Sequence, residues 1–359
     1  MAKKKIIQVT ECFAYGTAKS LKQLCELLKD EYEITVCYCR RDDSDNEIKH
    51  ADSDIKWIEM YSDGRFRHLK NILMVRRLIE SSTFALHGHS SFAGLYVRIA
   101  AIGKHVPLVL YSPRGYAFLR QDLNIFIRFI FLMAEILLSF LGRTVTCGKS
   151  EFNIGKRFSR HICNINNSVM IQDQPAQRSD DQFRVISVGR ICYQKGFDIF
   201  IQIAKALKDK EFVWVGSADP QYMDAVMKQH PSLPDNIKII TYSEQGELFS
   251  RMTHSSVVLH PSRWEGLSRV LIESLSLGLP IVTSTCKQNL DCLLPQAEGE
   301  YSNGFSCENI SDYVVAIDKL QHDPEMLANM KNSSLNLAKS DFDINVVKTQ
   351  WLSLYRGEY

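Results

Sequence analysis

The stretch HPSRWEGLSRVLIESLSLGLPIVTS, His260–Ser284, holds one full repeat of an alternating α/β chain. A strand-length apolar run at Ser256–Leu259 leads into a turn carrying Pro261 and Gly266. A helix is expected over Leu267–Leu277, stopped at Gly278, and Pro280–Thr283 is again strand-like. A strand, a turn, a helix and a second strand in this order are the unit from which doubly wound sheets are made.

Working outward, the same alternation fills the second half. Strands are expected at Phe183–Val188, Phe212–Val215 and Ile237–Ile240, with helices at Phe197–Leu207 and Glu244–Thr253. The first half opens with a strand at Lys5–Thr10, a helix around Ala18–Lys29 and a strand at Glu33–Cys39. Apolar runs at Phe84–His87, Val106–Tyr111 and Thr144–Cys147 read as central strands buried on both faces. Two Rossmann-like doubly wound domains are therefore expected, facing across a cleft, with the polar stretch Asn164–Asp181 as linker. The boundaries follow as residues 1–165, residues 166–340, and a final segment 341–359. That segment carries Trp351 and Leu354 at helical spacing and should return to the first domain. Ligands of open α/β sheets bind beyond the carboxyl ends of the strands, which puts the site in the cleft.

At 359 residues and 45% hydrophobic, the chain can bury two cores. Its 10 cysteines are scattered with no C-x-x-C pair, as expected of buried thiols in a reducing compartment. The opening MAKKKIIQVT has a basic cluster but no signal-peptide core, so a cytoplasmic location is expected, with peripheral attachment to the membrane as an extension of it. Charge is uneven: residues 1–170 carry 25 Lys+Arg against 17 Asp+Glu, and the remainder 18 against 24. A first half at +8 fits an anionic partner, a membrane surface or a phosphorylated acceptor, as well as plain solvated charge. Arg65, Arg67, His68, Lys70, Arg76 and Arg77 among Phe66, Leu69, Ile72, Leu73 and Val75 read as a basic amphipathic helix suited to anionic lipid. Nucleic acid is not expected, because no reader fold accompanies these cations. The apolar segment Ile125–Leu141 has one polar stripe, Gln121, Asn124, Arg128, Glu135 and Ser139, and is expected to pack in the first domain rather than span a bilayer. Asp42–Asp45, DDSD, reads as a solvated turn, and His254 and His260 as structural.

Two clusters carry chemistry. Glu265 and Glu273 lie eight positions apart, so their carboxylates could grip one elongated ligand at points about 12 Å apart along a helix. Between them the amides of Gly266, Leu267 and Ser268 lie at the positive end of the expected helix, where a diphosphate would fit. The second cluster is SVGRICYQKGFDIFIQIAKAL, Ser187–Leu207. Here a strand ends at Gly189, and Arg190 and Lys195 share the following loop; two cations there could neutralise a departing nucleotide diphosphate.

Together these stretches resemble the retaining glycosyltransferases of the GT-B fold, family 4 (glycosyl transferases group 1). The E-x7-E signature is present as Glu265-GLSRVLI-Glu273, and G-R-x4-K-G as Gly189-Arg190-ICYQ-Lys195-Gly196, with Pro261-Ser262 alongside. HSSFAG (His89–Gly94), YSPRGYAF (Tyr111–Phe118) and CGKSEFN (Cys147–Asn153) look like the family's successive strand-end motifs, so the resemblance runs along nearly the whole chain. It implies that Arg190 and Lys195 hold the donor phosphates, Glu273 the ribose hydroxyls, and Glu265 the transferred sugar. Tyr242 would lie by the base, Gly16 would admit the donor to the first-domain loop, and His89 and Arg114 would face the acceptor. Arg114 stands where many relatives have His, so it can only donate hydrogen bonds or pair with an anion.

No metal or other cofactor is implied. The donor would be a nucleotide diphosphate sugar, UDP-sugar ahead of GDP-sugar, and the acceptor a saccharide or lipid-linked sugar in surface polysaccharide synthesis. A nucleotide-sugar epimerase of the same architecture, or a non-catalytic partner subunit that keeps only the fold, would share this pattern.

Overall fold

The computed structural model describes residues 3–40, 54–171, 182–241, 245–296 and 300–358. The DDSD stretch and most of the expected linker lie outside them. The chain divides into two compact units, Met1–Asn167 with Asn345–Tyr359, and Ser168–Ile344.

The first unit runs β1 (Lys4–Thr10), α1 (Tyr15–Leu28), β2 (Tyr32–Cys39), β3 (Lys56–Met60), α2 (Arg67–Leu78), β4 (Thr83–His89), α3 (Ser91–Ala100), β5 (Leu108–Ser112), α4 (Ile125–Leu138), β6 (Arg143–Thr146), α5 (Lys149–Gly155) and β7 (Ile162–Asn164). Among the described residues its seven strands are ordered β3-β2-β1-β4-β5-β6-β7 in a parallel sheet. The two-residue period of β1 sorts its side chains between two cores. Ile6 joins Ile34, Val36, Ala85 and Leu110 beneath α1, while Ile7 and Val9 join Leu86, Val75 and Tyr96 beneath α2 and α3. Covered on both faces, the central strands read as unbroken apolar runs.

The second unit runs β8 (Arg184–Val188), α6 (Phe197–Ala206), β9 (Glu211–Val215), α7 (Pro220–Gln229), β10 (Ile237–Ile240), α8 (Gln245–Thr253), β11 (Val257–His260), α9 (Arg269–Ser276), β12 (Ile281–Ser284), α10 (Lys287–Leu290), β13 (Gly304–Cys307), α11 (Ile310–His322) and α12 (Pro324–Leu337). The order β10-β9-β8-β11-β12-β13 reverses direction between β8 and β11, the topological switch point of a Rossmann-like sheet. A last helix, α13 (Ile344–Arg356), belongs to the first unit. There it buries Val347, Trp351, Leu354 and Tyr355 in the core under α1, and the Tyr355 hydroxyl meets Gln8 Nε2 (2.9 Å) and His87 Nδ1 (2.8 Å).

Two helices depart from the sequence reading. The helix expected from Leu267 begins at Arg269, because Ser268 as N-cap has ψ 116°, outside helical backbone. The second departure is in α4, whose polarity is inverted. The helix packs in the first unit, but its polar stripe turns inward. Glu135 is buried, accepting from Tyr111 Oη at 2.6 Å and Arg98 Nη2 at 3.3 Å, and Ser139 is buried as well. Burial pushes the Glu135 carboxyl up, and Arg98 and Tyr111 oppose that rise. A carboxylate that has its cation inside the protein fixes the helix rotation, since breaking such a buried pair costs about 3–5 kcal/mol. The apolar side is left outward, with Phe126 78%, Ile130 65% and Leu137 67% exposed. Among the described residues no helix is long and apolar enough to cross a membrane.

Candidate active site

The loops that follow β8 and β11 leave adjacent strands at the switch point of the second unit. Backbone geometry forces glycine along the first of them. Gly189 has φ 141° and its carbonyl accepts from Trp214 Nε1 at 2.7 Å. A Cβ on Gly216 would sit 2.2 Å from the Gly189 oxygen, so the β8 and β9 loops are in direct backbone contact. Gly196 has φ 74°, and a Cβ there would lie 2.3 Å from the Pro261 carbonyl oxygen. The glycine after Lys195 thus lets the two signature loops touch.

Further bonds lock these loops together. Arg263 N donates to Gln194 O (2.8 Å), and Gln194 Nε2 donates to Trp264 O (2.8 Å). The Arg263 guanidinium forks onto Asp198 at 3.0 and 2.6 Å and lies 4.0 Å over the Tyr193 ring. Thr283 Oγ1 donates to His260 O (2.8 Å), and Asn289 Nδ2 donates to Ser262 Oγ (3.0 Å) and Ser284 Oγ (3.1 Å).

Within this frame Lys195 Nζ reaches Glu265 Oε1 at 2.6 Å, and His260 Nε2 lies 3.2 Å from the same oxygen. Burial alone would raise the Glu265 carboxyl, but the Lys195 ammonium and the His260 hydrogen bond hold it down at about 2. Burial lowers the His260 imidazole, outweighing the pull of Glu265. At neutral pH the imidazole is therefore uncharged, and its Nε2–H is the donor that Glu265 accepts. The sequence reading set His260 aside as structural; the structure puts it inside the cluster, five residues before Glu265 at the end of β11.

Downstream, Gly266, Leu267 and Ser268 are buried and lead into α9. Ser268 makes no side-chain cap bond, and its buried Oγ has no hydrogen-bond partner. A polar atom left so at a helix N-terminus is suited to an anionic ligand. Glu273 lies on α9, buried, with Oε1 3.5 Å from Arg269 Nε. Arg190 is half-buried on the loop between Gly189 and Lys195. Tyr242 lies outside the described residues.

The remaining candidates belong to the first unit. Gly16 is in the first turn of α1 rather than in the loop before it. His89 ends β4 with its ring fully buried, Nε2 against Gln8 Oε1 (2.9 Å) and Nδ1 3.5 Å from Arg114 Nη2. Arg114 also bonds Asn167 Oδ1 through Nη1, while its Nε is buried without a hydrogen-bond partner. Among the described residues the two non-glycine residues at positive φ, Ser90 (90°) and Arg114 (58°), follow the ends of β4 and β5. Strain of that kind gathers at ligand sites.

Residues 170–336 match the sequence model of the family described as Glycosyl transferases group 1. An uncharacterized glycosyltransferase of Haemophilus influenzae is 30% identical over 173 residues, 46% of this chain and 47% of the relative. The UDP-Gal:alpha-D-GlcNAc-diphosphoundecaprenol alpha-1,3-galactosyltransferase of Escherichia coli is 25% identical over 306 residues, 77% of this chain and 76% of that enzyme. Several other curated relatives match over about half of their own length. The Anabaena HepE structure in complex with UDP-glucose aligns with a TM-score of 0.81 at 15% identity, covering 99% of this chain and 100% of the other. At that identity the likeness speaks to fold, and the fold is that of GT-B glycosyltransferases, two parallel-sheet Rossmann-like domains.

Proposed function

We propose that this protein is a glycosyltransferase of family 4 that moves a hexose from a UDP-sugar, ahead of a GDP-sugar, to a saccharide or lipid-linked acceptor with retention of configuration. The observation that carries the reading is the Lys195–Glu265–His260 cluster at the switch point of a sheet within the matched 170–336 segment. Lys195 has three donors, and Glu265 occupies one; the others, with Arg190, can meet diphosphate oxygens as negative charge grows on the leaving group. Gly266, Leu267 and Ser268 would add backbone donors and the free Ser268 hydroxyl, Glu273 would bind the ribose, and Tyr242 would sit by the base. Glu265, kept ionised, would contact the sugar as it gains oxocarbenium character. In the first unit Arg114, oriented by His89, would offer its guanidinium to the acceptor.

The activity named for the Escherichia coli relative, with its UDP-Gal donor and diphosphoundecaprenol-linked acceptor, supports the donor and acceptor classes. Those classes are in keeping with surface polysaccharide synthesis, which we place at the cytoplasmic face of a membrane. The reaction is proposed to run without a metal or other cofactor.

The test is incubation with UDP-hexoses and a lipid-linked saccharide, followed by NMR of the product anomer. Acceptor-dependent UDP release with retained configuration, unchanged by EDTA, is expected. Conversion of the nucleotide sugar without acceptor would instead make the protein an epimerase, and binding without turnover of either kind would make it a non-catalytic subunit.

A further inference from the structure

We infer that the outward faces of α4 and α2 form a docking surface that inserts into an anionic bilayer interface. The inference deepens the membrane-face location proposed above, but it rests on the geometry of the first unit and not on the transfer chemistry. In α4 and the residue pair after it, Phe126, Phe129, Ile130, Met133, Leu137 and Phe140 recur at three- and four-residue steps, and all are exposed. A soluble helix normally turns such a stripe inward. Here the opposite side is held inside by the buried Glu135–Arg98–Tyr111 cluster, so the helix cannot rotate to hide it without stranding a charge.

The surface continues onto α2. His68 stacks on Phe92 of α3 with ring centroids 4.5 Å apart, and Phe92 meets Phe131 of α4 edge-on at 6.0 Å. The three helices therefore lie side by side, and α2 with its N-cap residue adds exposed Phe66, Leu69 and Leu73.

Charge selects the occupant. Arg65, Lys70 and Arg77 are exposed on or beside α2, which has no acidic residue in Arg67–Leu78, and the sole acid of α4 is the buried Glu135. An apolar stripe flanked by cations, with no outward acid on either helix itself, fits anionic headgroups over acyl chains. A second copy of this chain would bring the same cations toward one another, and neither helix offers an outward acid to meet them. At 1.5 Å per residue, α4 would lie in the interface along about 21 Å of its axis.

The experiment is flotation of the full chain with phosphatidylglycerol-containing vesicles and with pure phosphatidylcholine vesicles. Co-flotation is expected with the former, reduced by salt, and weak with the latter. Phe126→Glu with Phe129→Glu should lower vesicle partition about tenfold or more, because each puts a charge into the acyl boundary. Arg65→Glu with Lys70→Glu should abolish the preference for anionic lipid. Both pairs are solvent-exposed, so unchanged circular dichroism and UDP binding would show that fold and donor site persist. The inference is overturned if phosphatidylglycerol vesicles do not retain the protein, or if the Phe pair floats like wild type. It is equally overturned if light scattering finds a dimer that the Phe pair dissolves while vesicle binding is absent.

Discussion

Replacing Lys195 by Met removes the cation 2.6 Å from Glu265 and leaves the buried carboxylate with only the neutral His260 donor at 3.2 Å. Glu265 is held at about 2, against 4.5 for an unperturbed glutamate. A folded value below the unfolded one stabilises the protein above the unfolded value and loses that effect as pH falls from there toward the folded value. The difference corresponds to about 3 kcal/mol at neutral pH. In Lys195→Met burial would push Glu265 upward and remove this contribution, in line with the ~3–5 kcal/mol lost when one partner of a buried pair is deleted. Urea unfolding at pH 7 should therefore show a loss of about 3 kcal/mol, and the gap from wild type should narrow by about 1 kcal/mol at about pH 3.5. Adding Glu265→Gln to Lys195→Met should restore part of the loss, because no charge is then stranded. A loss below about 0.5 kcal/mol, or a gap independent of pH across this range, would refute the assignment of Glu265 as a buried, cation-held carboxylate.

Gly196→Ala should destabilise the second unit by about 1–3 kcal/mol, since its φ of 74° and the Pro261 oxygen 2.3 Å from the new Cβ both oppose it; thermal unfolding reads the effect. Ser268→Ala should leave the melting temperature unchanged or slightly raised, because its buried Oγ bonds nothing, yet it should weaken UDP binding in calorimetry. Arg98→Met should cost about 3–5 kcal/mol by stranding Glu135, and Arg98→Met with Glu135→Leu should recover most of it in denaturant titration.

Much of this was written in the chain in forms that local physics can read. Buried parallel strands such as Ile6–Val9 and Val257–Leu259 announce themselves as apolar runs, and the glycines at 189 and 196 mark loops that need positive φ. The spacing of Arg190, Lys195, Glu265 and Glu273 pointed to one edge of one sheet, because strand order converts sequence position into place only at a switch point. His260 escaped because its partner is made by the fold: a histidine ending a strand looks the same whether or not a loop folds a carboxylate back onto it. The rotation of α4 escaped for a like reason. Its stripe of Arg128, Glu135 and Ser139 defines two faces, but only the position of Arg98, 37 residues away, decides which one is inside. Strand β3, at Lys56–Met60 and half-exposed, lacked the apolar run that marked its neighbours.

The claim on which the account turns is that the β8 and β11 loops hold a nucleotide diphosphate, and calorimetric titration of UDP into wild type and Arg190→Ala tests it most directly. Saturable binding by wild type, weakened at least about tenfold in a variant that melts like wild type, is the predicted result, since a charge-assisted phosphate contact is worth about 1.5–3 kcal/mol. Equal UDP affinity in both proteins, or none in the wild type, would contradict it.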